Sequence, residues 1–258
     1  MYSPIKWTGS KRSLAKYLVP LFPERTRVID PFVGGGSLLQ YYGVEGVVGD
    51  SNRDLINLWY IIQSHPNIVI ENYRQRWEKF QENPEYYYVV RKEYNTSHDP
   101  LAFLFLTRTC AVGVIRYNAS GEFNSPIHHQ RPGLHPDRLL SLLKKWHPAI
   151  KKFRFVCQDY KETLQETGDF IFIDPPYCNS KGAVYHPDSF NYQELFAELE
   201  NLNTKGMKWM LTFGSEDGVP EIYERKFIFP SGKSLLNGNK QKITREAVYV
   251  NYKVGNNG

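Results

Sequence analysis

Hydrophobic periodicity divides the chain into two kinds of segment. Phe170, Ile171, Phe172 and Ile173 form an unbroken apolar run that Asp174-Pro175-Pro176 stops at once. A run of that length reads as a strand buried on both faces, and consecutive prolines cannot continue it. The strand signature recurs at Arg27–Asp30, 47–50, Phe153–Cys157, 208–213, 226–229 and 247–250. Residues 52–112 have no strand pattern; apolar positions at helical spacing predict a helix through Leu55, Ile56, Leu58 and Trp59, then others over 68–80, 84–94 and 100–111. Asn52 is placed to cap the first and Asp99-Pro100 to start the last. Alternation returns over 112–126, where Asn118-Ala119-Ser120-Gly121 reads as the turn of a β-hairpin. Further helices follow over 139–146 and 193–202. Strands separated by helices predict an α/β fold, a Rossmann-like sheet built from residues 1–55 and 150–258. A mostly helical insertion, 56–149, interrupts it and carries the hairpin.

With 258 residues, 41% of them hydrophobic and 23% charged, the composition is that of a globular chain with a full core. No apolar run reaches membrane-spanning length and the N-terminus lacks the apolar core of a signal peptide, so a cytoplasmic protein with no membrane partner is expected. Cys110, Cys157 and Cys178 form no C-x-x-C pair, and neither a disulfide framework nor a metal site is expected. Charge placement adds more. Of a net +5, residues 91–154 hold eleven Lys or Arg against four Asp or Glu, with five of the seven histidines. Interleaved with aromatics, such a stretch suits a polyanion such as nucleic acid, although a solvated basic surface has the same pattern. His128, His129 and His135 lack acidic or cysteine neighbours at ligand spacing and are read as surface or phosphate-facing groups.

The stop at Asp174 is the sharpest chemical signal. It places a carboxylate just beyond a strand end, where open α/β sheets hold their ligands, followed by a rigid proline corner and the aromatic face of Tyr177. An exocyclic amine on a nucleobase is a poor nucleophile because its lone pair is delocalised into the ring. A carboxylate and a backbone carbonyl accepting its N–H groups localise that pair and aim it, while Tyr177 stacks on a base that has left the duplex. A second acid, Asp30, ends a strand ahead of Gly34-Gly35-Gly36-Ser37, where glycine lets backbone approach a ligand. A third, Asp50, ends the next strand, where an acid accepts hydrogen bonds from ribose hydroxyls. The third glycine of G-x-G-x-x-G is absent and no P-loop pattern occurs, which disfavours a dinucleotide or triphosphate and leaves a nucleoside-type cofactor. Lys11, after the N-cap candidate Ser10, opposes the helix dipole; it reads equally as a group for an anionic ligand or as a surface lysine. Asp159 has two readings, acceptor for an adenine amine or helix cap, with Tyr160 placed to cover the ring. Arg116 on the hairpin and Arg131 beyond it have the chemistry to read guanine in a major groove, with solvent exposure as the plainer alternative. The polar loop 178–187 is expected to act as a lid, and the glycine-, asparagine- and lysine-rich 231–245 to be a mobile loop.

These pieces in this order resemble the Dam-like D12 class of DNA adenine-N6 methyltransferases, over nearly the full chain. The carriers are Trp7-Thr8-Gly9-Ser10-Lys11, the run from Asp30 to Ser37, Asp50, the spaced Arg116, Asn118, Gly121, Phe123 and Pro126, and Asp174-Pro175-Pro176-Tyr177. The resemblance implies a class I methyltransferase sheet of seven strands with a reversed final hairpin, and a DNA-recognition domain in the insertion. It implies S-adenosylmethionine as cofactor, held at Trp7, Lys11, Asp50 and Asp174, with Asp30, Phe32, Gly34, Gly36, Ser37, Asp159 and Tyr160 lining the pocket and Lys11 facing the methionine carboxylate. Asp174, Pro175, Pro176 and Tyr177 are the implied catalytic corner, and Arg91, Arg116, Asn118, Pro126 and Arg131 the implied contacts to double-stranded DNA. GATC is the leading target. Ala111 stands where a relative has an aromatic, and His128-His129-Gln130-Arg131 where GATC-specific relatives carry another arginine. A monomer or a DNA-dependent dimer is expected, in a bacterial or phage-infected cell, and a cognate restriction endonuclease is compatible as a partner. Cytosine-N4 methylation is the nearest rival, and a non-enzymatic nucleic-acid-binding protein on the same scaffold a rival of another class.

Overall fold

The computed structural model describes residues 2–128, 133–177, 190–214, 226–236 and 240–254. Its strands are β1 (Arg27–Asp30), β2 (Glu45–Asp50), β3 (Phe153–Cys157), β4 (Phe170–Ile173), β5 (Lys208–Gly214), β6 (Lys226–Leu236) and β7 (Lys240–Val250). They form one seven-stranded sheet in the order β3-β2-β1-β4-β5-β7-β6. The first five strands pair in parallel, and β7 runs antiparallel between β5 and β6. The sheet with a reversed final hairpin is thus present.

The central strand shows why the apolar run had to be a strand. Successive side chains point to opposite faces, so Phe170 and Phe172 enter one core and Ile171 and Ile173 the other. The first core continues into helices α1 (Ala15–Leu18), α2 (Leu39–Tyr42), α3 (Arg53–Ser64), α4 (Pro66–Glu82), α5 (Tyr86–Ser97), α6 (Pro100–Thr109) and α7 (Pro136–Ile150). The second is closed by α8 (Tyr160–Thr163) and α9 (Tyr192–Thr204). Capping follows the sequence closely: Asn52 accepts from Leu55 N, and Asp99 from Leu101 N and Ala102 N. No described helix is long and apolar enough to cross a membrane.

Two expectations are corrected. The glycine- and lysine-rich stretch is not a loop throughout: β6 runs to Leu236 and β7 starts at Lys240, paired past an irregularity between Pro230 and Gly232. Backbone pairing does not need apolar side chains, so turn-rich composition hid the ladder. The hairpin is the second, in part: its turn and antiparallel pairing are present, with Gly121 N donating to Asn118 O, Asn118 N to Glu122 O, Asn124 N to Arg116 O and Ala111 N to Pro126 O, but among the described residues the bridges are the isolated ones of Tyr117 with Phe123 and Cys110 with Ile127. Side chains add further bonds. Asn95 of α5 accepts from Phe123 N (2.9 Å) and donates to Phe123 O (3.1 Å), and Tyr87 donates to Ser125 O. Ser125 Oγ accepts from Arg116 N and donates to Val114 O, bridging the two arms. The expected lid at 178–187 lies outside the described residues, as does Arg131.

Candidate active site

Parallel strands bring their carboxyl ends to one edge of the sheet, and three of the predicted acids meet there. Asp30 and Asp50 end β1 and β2, and Asp174 follows β4. Asp174 Oδ1 is held by two donors, Lys11 Nζ at 2.7 Å and Thr212 Oγ1 of β5 at 2.8 Å, and Tyr177 OH lies 3.4 Å away. Among the described residues no hydrogen bond falls on Oδ2. Tyr177 OH is nearer to Glu246 Oε2 of β7 (3.1 Å), the acceptor its one hydrogen serves best, and Lys11 Nζ lies 3.6 Å from that oxygen and 4.8 Å from the centre of the Tyr177 ring. Tyr192 of α9 donates to the Pro176 carbonyl, tying the proline corner to the helix beyond it. Sequence reading missed Thr212, Tyr192 and Glu246. The signal for Glu246 was an acid directly ahead of the apolar run 247–250, passed over because the strand was started at 247 and the loop ended at 245.

The glycine run is built around two tryptophans. A Cβ on Gly35 would stand 2.7 Å from Trp7 Cβ, and one on Gly36, whose φ is +62°, 2.6 Å from Trp59 Cζ2. Trp59 Nε1 donates to Gly34 O, and Asp50 Oδ2 accepts from Gly34 N, Oδ1 from Asn52 N. Ser37 Oγ accepts from the Lys11 backbone N–H, which joins the N-terminal segment to the loop. A cavity of about 280 Å³ results, lined by Trp7, Lys11, Gly34, Asp50, Asp174 and Tyr177 among others. Across Phe32 lies a second cavity of about 480 Å³, bounded by Asp50, Asp159 and Tyr160. Phe32 and Tyr160 stack at 5.3 Å, and the Tyr160 hydroxyl is buried with no hydrogen-bond partner among the described residues. Asp159 caps α8 by accepting from Lys161 N, so the capping alternative is realised at the cavity wall.

Electrostatics separate the acids. Burial pushes the Asp30 carboxyl up to about 7, against hydrogen bonds from Tyr42 OH and Phe32 N that favour its charged form. Asp30 does not line the main cavity; it braces the turn beneath it. Burial opposes the charge of Lys11, but Asp174 and Glu246 outweigh it and its pKa is raised. Burial raises that of Glu246, more than Lys11 lowers it.

The expected DNA contacts are distributed unevenly. Arg116 is exposed and lines the main cavity beside Asp174. Asn118 is occupied in its own turn, accepting from Ser120 N and Glu122 N and donating to Glu122 Oε2. Pro126 is exposed, and its carbonyl accepts from Ala111 N. Arg91, on α5, lies over the Tyr88 ring.

Comparison with known proteins fits this geometry. Residues 7–241 match the profile of D12 class N6 adenine-specific DNA methyltransferases. A DNA N-6-adenine-methyltransferase of Escherichia phage P1 is 31% identical over 86% of this chain, which spans 31% of that relative's length. A DNA adenine methylase of Serratia marcescens is 32% identical over 72% of each chain, and the retron Ec67 DNA adenine methylase of Escherichia coli 26% identical over 99% of this chain and 86% of that one. The chain belongs to the D12 class of N6 adenine-specific DNA methyltransferases, a family that uses S-adenosylmethionine as methyl donor.

Proposed function

We propose that this chain methylates adenine N6 in a short duplex DNA site, GATC being the leading candidate, with the target base turned out of the helix into the Asp174 corner. The residues present fit the family's cofactor. Phe32 and Tyr160 offer an aromatic wall with an unpartnered hydroxyl, Asp50 an acceptor at the second strand end, and Gly34 and Gly35 a close backbone approach beneath Trp7. When bound, S-adenosylmethionine supplies an electrophilic methyl group on a sulfonium.

The observation that carries the reading is the asymmetry of Asp174. Lys11 and Thr212 fix Oδ1, and among the described residues no hydrogen bond is donated to Oδ2. Oδ2 and the Pro175 carbonyl are then the two acceptors for the amine hydrogens, since Pro176 O is taken by Tyr192. Fixed acceptors concentrate the nitrogen lone pair without reorganising during the reaction. Tyr177, tethered through its hydroxyl to Glu246, presents its ring to the base. Arg116, at the rim of the same cavity, is the reading group best placed to sense the duplex as the base enters. We assign residues 56–149 to target recognition and the rest to catalysis.

The test is methyl transfer from tritiated S-adenosylmethionine to unmodified DNA, with nucleoside analysis and a GATC-sensitive digest. Label in N6-methyladenine with GATC protected is expected. Label in N6-methyladenine without protection removes the site assignment, and label in N4-methylcytosine the base assignment.

A further inference from the structure

Lys11, Asp174 and Glu246 form a cluster of one cation and two carboxylates, each at most 17% exposed. Among the described residues Lys11 is the only ion-pair partner of either acid, so within that set the carboxylates outnumber their cation by one. A second carboxylate is not needed to hold the corner together. A glutamine at 246 would accept from Tyr177 OH as well as a glutamate does, and Asp174 alone is a full counter-charge for Lys11. Surplus buried charge costs stability unless something answers it. The cluster borders the cavity assigned above to the cofactor, and that cofactor is a cation at sulfur only until its methyl group leaves. Donor and product differ by that one positive charge.

We propose that Glu246 is a specificity-determining residue, whose negative charge makes the pocket prefer the sulfonium donor over the neutral thioether product. Coulomb attraction in a partly buried site acts beyond contact distance, so Glu246 performs this role from behind Lys11 and Tyr177. The same preference speeds clearance of product. This inference rests on the cavity being the cofactor site.

The experiment is direct binding, without DNA, of S-adenosylmethionine and S-adenosylhomocysteine to the wild type, Glu246→Gln and Glu246→Asp. The Gln variant should lose about tenfold in preference for the charged ligand, with thioether affinity little changed, and the Asp variant should keep the wild-type preference. An unchanged ratio in Glu246→Gln, or equal loss of both ligands, overturns the proposal; the second outcome would make Glu246 a structural brace. Failure of the wild type to bind either ligand would instead sink the cavity assignment itself. Should Glu246→Gln not fold, calorimetry on the wild type in two buffers of different ionisation heat decides. Equal proton counts for both ligands support an ionised Glu246, and a proton released only with the sulfonium refutes it.

Discussion

The Asp174 corner and the loop at 111–128, proposed above for catalysis and target reading, lie beside the same cavity but are held differently. Asp174 follows directly on β4, between parallel neighbours on both sides, so its position is set by the sheet. The loop has a few backbone bonds between its arms and two isolated bridges, and its shape depends further on side chains of α5 and on Asn118 and Ser125 within the loop. Backbone ladders tolerate substitution because they do not depend on side-chain identity, whereas a loop assembled from side-chain bonds changes shape with single replacements. On the proposed assignment, the chemistry is placed rigidly and target reading adjustably.

Substitutions can break this contrast. Asp174→Ala should have the largest effect, cutting turnover by about a hundredfold to a thousandfold while DNA binding persists, as for loss of a preorganised catalytic acceptor or donor; rapid single-turnover transfer by the variant would contradict the mechanism. Asn95→Ala should strip Phe123 of both side-chain bonds and raise KM for DNA about thirtyfold, at about 1 kcal/mol for each bond, with cofactor affinity unchanged. If kcat at saturating DNA falls as much as KM rises, the loop is coupled to the corner and the contrast fails. Gly36→Ala acts on stability, because φ is +62° and the new methyl group meets Trp59. A loss of about 1–3 kcal/mol is expected for a strained non-glycine residue, measurable by denaturant unfolding. The smallest effect is one of pH. The Asp30 carboxyl stands at about 7 when folded, so the folded chain holds a proton there that the unfolded chain releases near 4. Its contribution is full below the unfolded value and is lost as pH rises through about 7. Asp30→Asn should flatten the decline in stability between pH 4 and 7; an unchanged slope would show that Asp30 is ionised throughout.

How much was legible follows the same division. Phe170 to Tyr177 could be read because strand, stop, acid and aromatic are contiguous, and Asp30 and Asp50 because each ends an apolar run. Thr212 and Glu246 could not be assigned to the corner, since they reach it through strand pairing across long separations and carry no local motif. The composition of 231–245 suggested a loop and shortened β7, which removed Glu246 from view. Asn118 was legible as a turn residue, but the dependence of that turn on Asn95 was not.

The N-terminal segment that brings Trp7 and Lys11 to the cavity is not anchored by the sheet alone. Arg108 of α6 donates to the carbonyls of Ser3 and Pro4, and Trp146 of α7 to that of Tyr2. Transplanting residues 56–149, the segment proposed for target recognition, would thus replace the moorings of the proposed cofactor pocket as well. On that assignment a working chimera must carry residues 2–11 along with the graft, two sequence blocks that travel together.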